Sequence, residues 1–239
     1  MEDSPLPLEK WLVATWLVTN AKNGISSYEV ARALGVTQKT AWFMLHRIRY
    51  SLQGEQGGKL MDHVEVDETY IGGKARNMHK HVREAKIKGR GSVGKAVVMG
   101  MLERGGKVVT KHIETADRKT LQGHILENVD KGAAVSTDAH KGYTGLSAEY
   151  RHGVVDHAVA YVEGNVHTNG LENFWSLLKR TIGGTYVSVE LFHLHRYLDE
   201  QAFRFNERKA TDGERLNLAV KGIAGRRLTY KQLTGWVSA

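Results

Sequence analysis

The apolar residues of this 239-residue chain change period once, and that change limits the fold more than any other feature. Up to Leu52 they recur every three or four positions, the spacing that gives a helix one apolar face. From His63 they alternate, with Val64 and Val66 separated by Glu65 and followed by Asp67. That is the spacing of a strand with two different faces. Gly54 to Lys59, rich in glycine and charge, lies between the two regimes and reads as a linker. A helical module followed by a strand-led one is therefore expected.

In the helical module, residues 8–21 read as a helix that starts after Pro5 and Pro7 and is broken by Lys22-Asn23-Gly24. Ser26 with Glu29 makes a capping-box start for a second helix, to about Ala33. Leu34-Gly35-Val36 is a tight turn, and Thr37 caps a third helix from Gln38 to about Leu52. Ala31 is small where two helices would cross, and Val30, Leu34, Val36, Ala41 and Met44 or Leu45 fill a shared core. This is the spacing of a helix-turn-helix, whose second helix lies in the major groove with its first residues at base edges. Gln38, Lys39 and Thr40 are expected at bases, and Arg47 and Arg49 at phosphates. A plain helical hairpin has the same pattern, so the module does not by itself establish DNA binding.

The strand-led module has strands expected at 63–71, 95–103, 107–114, 133–138 and 152–162. Helices are expected at 118–131, at 169–182 with Leu171, Phe174, Trp175, Leu178 and Ile182 on one face, and at 189–208. Strands first and then alternating helix and strand make a mixed α/β domain.

Three acids stand out in it. Asp67 closes the alternating run, Asp138 closes the stretch from Ala133, and Glu172 opens the helix at Asn169. Singly, each has an ordinary explanation: an exposed strand end, a turn start, a capping residue with Asn169. Together they describe a site. A carboxylate at the end of a core strand needs a partner, because its desolvation costs several kcal/mol. Hard oxygen donors suit Mg²⁺, and two strand-end aspartates with a helical glutamate can hold a pair of such ions for phosphodiester chemistry. Lys179 lies seven residues after Glu172, two turns along the same helix face. After Asp67, residues 74–95 hold eight Lys or Arg and one acid, either a solvated basic loop or one that grips phosphates.

The remaining composition agrees. Lys and Arg number 34 against 26 Asp and Glu, a net charge of +8 that favours an anionic partner such as nucleic acid. There is no cysteine, so disulfides and Cys-ligated zinc are excluded, and the histidines, His193 and His195 included, lack zinc spacing. Trp11 to Val18, the longest apolar stretch, is far below the roughly 20 residues of a membrane span. No leader with a cleavage site is read ahead of it, and the composition suits a reducing cytoplasm.

The motif blocks also carry a resemblance. Val66-Asp67-Glu68-Thr69-Tyr70-Ile71-Gly72-Gly73-Lys74, then Thr137-Asp138 with Gly142-Tyr143, then His167-Thr168-Asn169 with Glu172-Asn173 and Trp175 to Arg180 resemble the DDE transposases of bacterial insertion sequences. Arg196 to Glu200 and Arg204-Phe205-Asn206 fit as well, so the likeness covers roughly residues 5–210. Seventy residues separate Asp67 from Asp138, and 33 separate Asp138 from Glu172; the second gap is close to what that superfamily uses. The resemblance implies a ribonuclease H-like α/β fold, a mixed sheet flanked by helices and preceded by a small all-α helix-turn-helix domain. It implies that Asp67, Asp138 and Glu172 are both catalytic residues and ligands of two Mg²⁺ (or Mn²⁺) ions. Water, and later a DNA 3′-hydroxyl, would attack phosphorus in line. Lys74, Arg76, Lys179 and Arg180 join Gln38, Lys39, Thr40 and Arg47 as expected DNA contacts. The implied partners are double-stranded DNA, as element ends and target, and further copies of the chain. The implied location is the bacterial cytoplasm at the nucleoid, with no membrane. The expected domains are 1–53 helix-turn-helix, 54–62 linker, 63–210 catalytic and 211–239 a basic C-terminal extension. That family usually begins with a Cys-rich zinc ribbon, which would end where this chain starts; without cysteine, no zinc is expected here. The rival expectations are a nuclease or resolvase of the same fold without strand transfer, and an inactive DNA-binding regulator. A carboxylate-pair glycosidase is more distant, since its cleft needs neither a basic loop nor a helix-turn-helix.

Overall fold

A computed structural model describes residues 4–54, 58–73, 79–81, 84, 94–155 and 166–235. The chain packs as two units, residues 56–179 and a second unit of residues 1–55 with 180–239. The second therefore contains the helix expected at 189–208, which the sequence boundaries had grouped with the sheet.

The helical unit begins with α1 (Leu8–Asn20), α2 (Ser27–Leu34) and α3 (Gln38–Leu52). Local chemistry sets their ends. Ser26 accepts from the Glu29 backbone N–H while the Glu29 side chain accepts from the Ser26 backbone, so both halves of the capping box form. Gly35 ends α2 in the left-handed region at φ 60°, where a side chain would be strained. Thr37 accepts from Thr40 N–H and starts α3. Trp11, Ala14, Val18, Val30, Ala41, Met44, Leu45 and Ile48 close a common core, joined by Ala219 from near the C-terminus.

The same unit holds a buried charge cluster. Arg49, 1% exposed, donates from Nε to Glu200 Oε2 at 2.5 Å, and Arg204 pairs with Glu200 Oε1. The Tyr186 hydroxyl also donates to Glu200 Oε1, and the Arg49 guanidinium lies 4.1 Å from the Tyr197 ring centroid. Arg49, expected at DNA phosphates, is thus a core residue: its side chain is enclosed on the inner face of α3 and neutralised there.

The sheet unit contains β1 (His63–Ile71), β2 (Ala96–Glu103), β3 (Val108–Ile113), α4 (Arg118–Asn128), β4 (Ala134–Asp138), β5 (Arg151–Val155) and α5 (Asn169–Arg180). The strand order is β3-β2-β1-β4-β5. β1 pairs antiparallel with β2 and parallel with β4, and β4 pairs parallel with β5, so the sheet is mixed as expected. Val64, Val66, Met99, Met101 and Val135 pack with Leu121 and Ile125 of α4 on one face. Glu65, Asp67 and Gly100 lie on the other, under α5. Beyond β5, residues 156–162 of the expected strand lie outside the described residues.

The remaining elements belong to the helical unit. The helix expected at 169–182 gives way after Arg180 to a π-helical stretch, Thr181–Tyr186, at Gly183-Gly184. A single 3₁₀ turn, Leu191–His193, leads into α6 (Leu194–Asn206). Residues 211–239, expected as an extension, contain α7 (Asp212–Lys221), opened by a Thr211–Glu214 capping box, and α8 (Tyr230–Thr234). Among the described residues no helix is long and apolar enough to cross a membrane.

Candidate catalytic carboxylate site

Strand register brings two of the three acids together. In the parallel pairing of β1 with β4, His63 lies beside Ala134, Val64 beside Val135 and Glu65 beside Ser136. The paired ladder ends there; the same offset continued two residues on aligns Asp67 with Asp138, the last residue of β4, whose charge acts on Asp67. Neighbours in parallel register share a face of the sheet, here the face covered by α5.

Asp67 is held from above. Trp175 of α5 donates its indole N–H to Asp67 Oδ2 at 2.9 Å. On its other side Asp67 is registered with Gly100 of β2, where a Cβ would lie 2.6 Å from Trp175 Cζ2. The glycine therefore leaves the indole its place over the strand. Burial pushes the Asp67 carboxyl up to about 6; the Trp175 N–H opposes that rise, and the charges of Glu68 and Asp138 add to it.

The start of α5 is pinned to the same strand. Glu65, 1% exposed, accepts Leu171 N–H at 3.0 Å and Arg104 Nε at 2.9 Å. Arg104 also donates to the carbonyl of His167, whose Nδ1 lies 3.2 Å from Glu65 Oε1. At Gly170 a Cβ would meet Leu102 Cδ2 at 2.5 Å and Glu65 Oε2 at 2.8 Å, so only glycine lets the first turn come this close. Glu65 and His167 are thus anchoring residues.

Glu68 faces the α4 side. It accepts the Tyr143 hydroxyl at 2.6 Å and lies 3.7 Å from His140 Nδ1. Burial raises its pKa, the Tyr143 hydroxyl lowers it and Asp138 raises it again. Asp138 accepts the His140 backbone N–H at 3.0 Å.

Glu172 is exposed on the first turn of α5, three residues before Trp175, and Lys179 and Arg180 are exposed further along. Among the described residues no three His, Asp or Glu side chains stand close enough to hold a metal ion as they are. The chemistry of the donor set nevertheless fits a hard divalent cation. Two neighbouring carboxylates, one of them half-buried and driven toward protonation by that burial and by its acidic neighbours, gain most from a positive charge beside them.

The remaining expected contacts lie apart from these acids in sequence. Lys39 is exposed at the start of α3. Gln38 donates to Ser27 Oγ at 2.8 Å, and Thr40 bonds to its own cap, Thr37. Arg47 is exposed and donates from Nε to the Leu228 carbonyl at 3.2 Å. Lys74 and Arg76, with most of the basic segment 74–95, lie outside the described residues.

Sequence reasoning placed Trp175 in an apolar stripe and did not single out Gly100 or Glu68. A tryptophan whose neighbour one turn back is an acid, under a strand with a glycine in its middle, was the available signal.

A family model described as an ISXO2-like transposase domain matches residues 59–206. No curated protein matches the chain. Among solved structures, the crystal structure of the Mos1 strand transfer complex is similar at 10% identity over 96% of this chain and 82% of that one, with a TM-score of 0.33. A pre-cleavage Mos1 transpososome is similar at 11% identity over 96% and 83%, with a TM-score of 0.29.

Proposed function

The chain belongs to the ISXO2-like transposases, and from that premise we propose that it cleaves DNA at the ends of an insertion element and joins them to a target. The residues proposed to carry the chemistry are Asp67, Asp138 and Glu172, as ligands of two Mg²⁺ or Mn²⁺ ions. What supports this most is the β1–β4 offset, which continued to Asp67 aligns it with Asp138, together with the half-buried Asp67 carboxyl pushed up to about 6 by burial and by the charges of Glu68 and Asp138. When bound, the ions supply Lewis acidity at phosphorus and a lowered pKa for the attacking water or hydroxyl.

The chain's own residues do the positioning. Trp175 fixes the Asp67 carboxylate through its N–H. Glu65 holds the start of α5 against β1, and this helix carries Glu172 one turn before Trp175. Lys179 and Arg180 take phosphates beside the cut, with Lys74 and Arg76 from the basic segment. Lys39, with Gln38, Thr40 and Arg47, approaches the duplex from the helical unit. Water attacks phosphorus in line and leaves a 3′-hydroxyl, which attacks a target phosphodiester in turn; no enzyme side chain becomes covalently attached. Bringing two ends and a target together calls for more than one copy of the chain, working on chromosomal DNA in the bacterial cytoplasm.

Asp67→Asn tests this reading with element-end DNA, a supercoiled target and Mg²⁺. Cleavage and joining should fall about 10³-fold or more, the equivalent of several kcal/mol of lost transition-state stabilisation. Duplex affinity should stay within about twofold, as the removed group makes no phosphate contact. Full activity in this variant would overturn the assignment, and wild-type cleavage without any joined product would favour a nuclease.

A further inference from the structure

The C-terminal segment has a role that the carboxylate chemistry does not use. From Leu216 to Ala239 it contains four Lys or Arg and no Asp or Glu. Its described part, as far as Gly235, folds within the helical unit onto the outer side of α3. Arg226 donates to the Tyr50 and Ser51 carbonyls, at 2.7 and 3.3 Å, at the C-terminal end of that helix. The Leu228 carbonyl accepts from Arg47, and Tyr230 stacks on Phe43 with ring centroids 5.0 Å apart and planes 8° from parallel.

A cavity of about 270 Å³ is left between α3 and this segment. Arg47, Arg226 and Arg227 line it together with Ser51, Thr229 and Tyr50, and none of its lining residues is a carboxylate. A fourth guanidinium, that of Arg196, lies 4.5 Å from the Tyr50 ring centroid. Three arginines around one space without an acid repel each other unless an anion enters, and guanidinium forks match phosphate oxygens. The place of the cavity names the anion. Lys39, Phe43 and Arg47 follow at four-residue intervals along one stripe of α3, so the cavity continues the helix face that Lys39 begins.

We propose that this cavity is a DNA-backbone site: when the start of α3 enters a groove, one phosphate of the same duplex seats among Arg47, Arg226 and Arg227. The C-terminal segment is then part of the DNA interface. The proposal rests on the reading that α3 meets duplex DNA.

Arg227 is the residue to change, since it is exposed and lines the cavity, whereas Arg226 also caps α3. Duplex binding would be measured by fluorescence anisotropy across a salt series, on an element-end duplex and on one of unrelated sequence. One lost phosphate contact lowers the slope of log affinity against log salt by about 0.9. Arg227→Gln should therefore weaken both duplexes by the same factor at low salt. Between 50 and 200 mM salt it should lose about 3.5-fold less affinity than the wild type. Arg227→Lys should restore most of the slope, and circular dichroism should show both variants folded. An unchanged slope in Arg227→Gln, beside wild-type binding that Lys39→Gln weakens, overturns the cavity and leaves the α3 reading standing. A loss confined to the element-end duplex also overturns it, because a phosphate contact reads no sequence. So does tight binding of inorganic phosphate with duplex affinity untouched. No wild-type binding to either duplex overturns the cavity and the α3 reading together.

Discussion

Two carboxylates that burial disfavours, Glu200 enclosed and Asp67 half-buried, have opposite surroundings. Burial pushes both upward. At Glu200, in the helical unit, Arg204 and Arg49 with the Tyr186 hydroxyl outweigh it and hold the group at about 2. At Asp67, in the sheet unit, the Trp175 N–H and the Glu68 backbone N–H oppose burial, while the charges of Glu68 and Asp138 reinforce it, and the carboxyl is pushed up to about 6. A protein able to neutralise one buried acid so fully leaves the other in acidic company. The first arrangement closes on itself and serves the fold. The second is the arrangement that the proposed cation site calls for.

The sharpest break of this contrast removes each acid in turn. Glu200→Gln leaves Arg49 and Arg204 enclosed without their counter-charge and should cost about 3–5 kcal/mol in urea unfolding. Asp67→Asn should cost nothing or raise stability at neutral pH, since it removes a charge that burial disfavours. Equal losses in the two variants would erase the distinction. Next in size is Gly100→Ala, whose methyl group meets the Trp175 indole. It should cost about 1–3 kcal/mol by overpacking and reduce cleavage through the displaced indole, although it changes no acid; Gly105→Ala makes a poor control, because its φ of 74° adds strain of its own.

The two acids also give opposite pH windows. The folded pKa of Asp67 is raised, so its contribution to stability is present at low pH and is lost as pH rises from 3.8 to about 6. Glu200 is lowered, so its contribution is present above 4.5 and is lost as pH falls toward about 2. Thermal unfolding across pH should lose the first window in Asp67→Asn and the second in Glu200→Gln. Added Mg²⁺ should raise the melting temperature of the wild type near neutral pH and leave that of Asp67→Asn unmoved. The smallest effect expected is from Trp175→Phe. Loss of the N–H that restrains Asp67 should move the acidic limb of the cleavage profile to higher pH while the fold persists.

Much of this was legible in the sequence because it is local. The change of period marked the end of the helices and the first strand. Ser26 with Glu29, Thr37 and Gly35 announced α2 and α3, and Asp138 ends β4 as read, whereas Asp67, read as a strand end, lies in the middle of β1, because the strand continues through Thr69 and Ile71 on its pairing with β2. What was hidden depends on distant pairing. Nothing near His63 says that its strand neighbour is Ala134, so the side-by-side acids are a property of register. Trp175 satisfied the apolar stripe of α5, and periodicity does not report what an indole N–H will find. Arg49 looked like a phosphate contact because its partner, Glu200, is 151 residues away. The Thr211–Glu214 capping box, by contrast, was open to view and went unread.

That separation has a meaning in time. A ribosome adds about 5–20 residues per second, so roughly 8–30 s pass between the emergence of Arg49 and that of Glu200. Throughout that wait the first three helices lack both the carboxylate that neutralises Arg49 and Ala219 of their core. The sheet unit, contiguous in the chain, is synthesised in full meanwhile. Translation order thus completes the sheet unit while the helical unit, although begun first, still waits for its last elements, and a nascent chain stopped short of Glu200 would carry the first whole and the second unfinished.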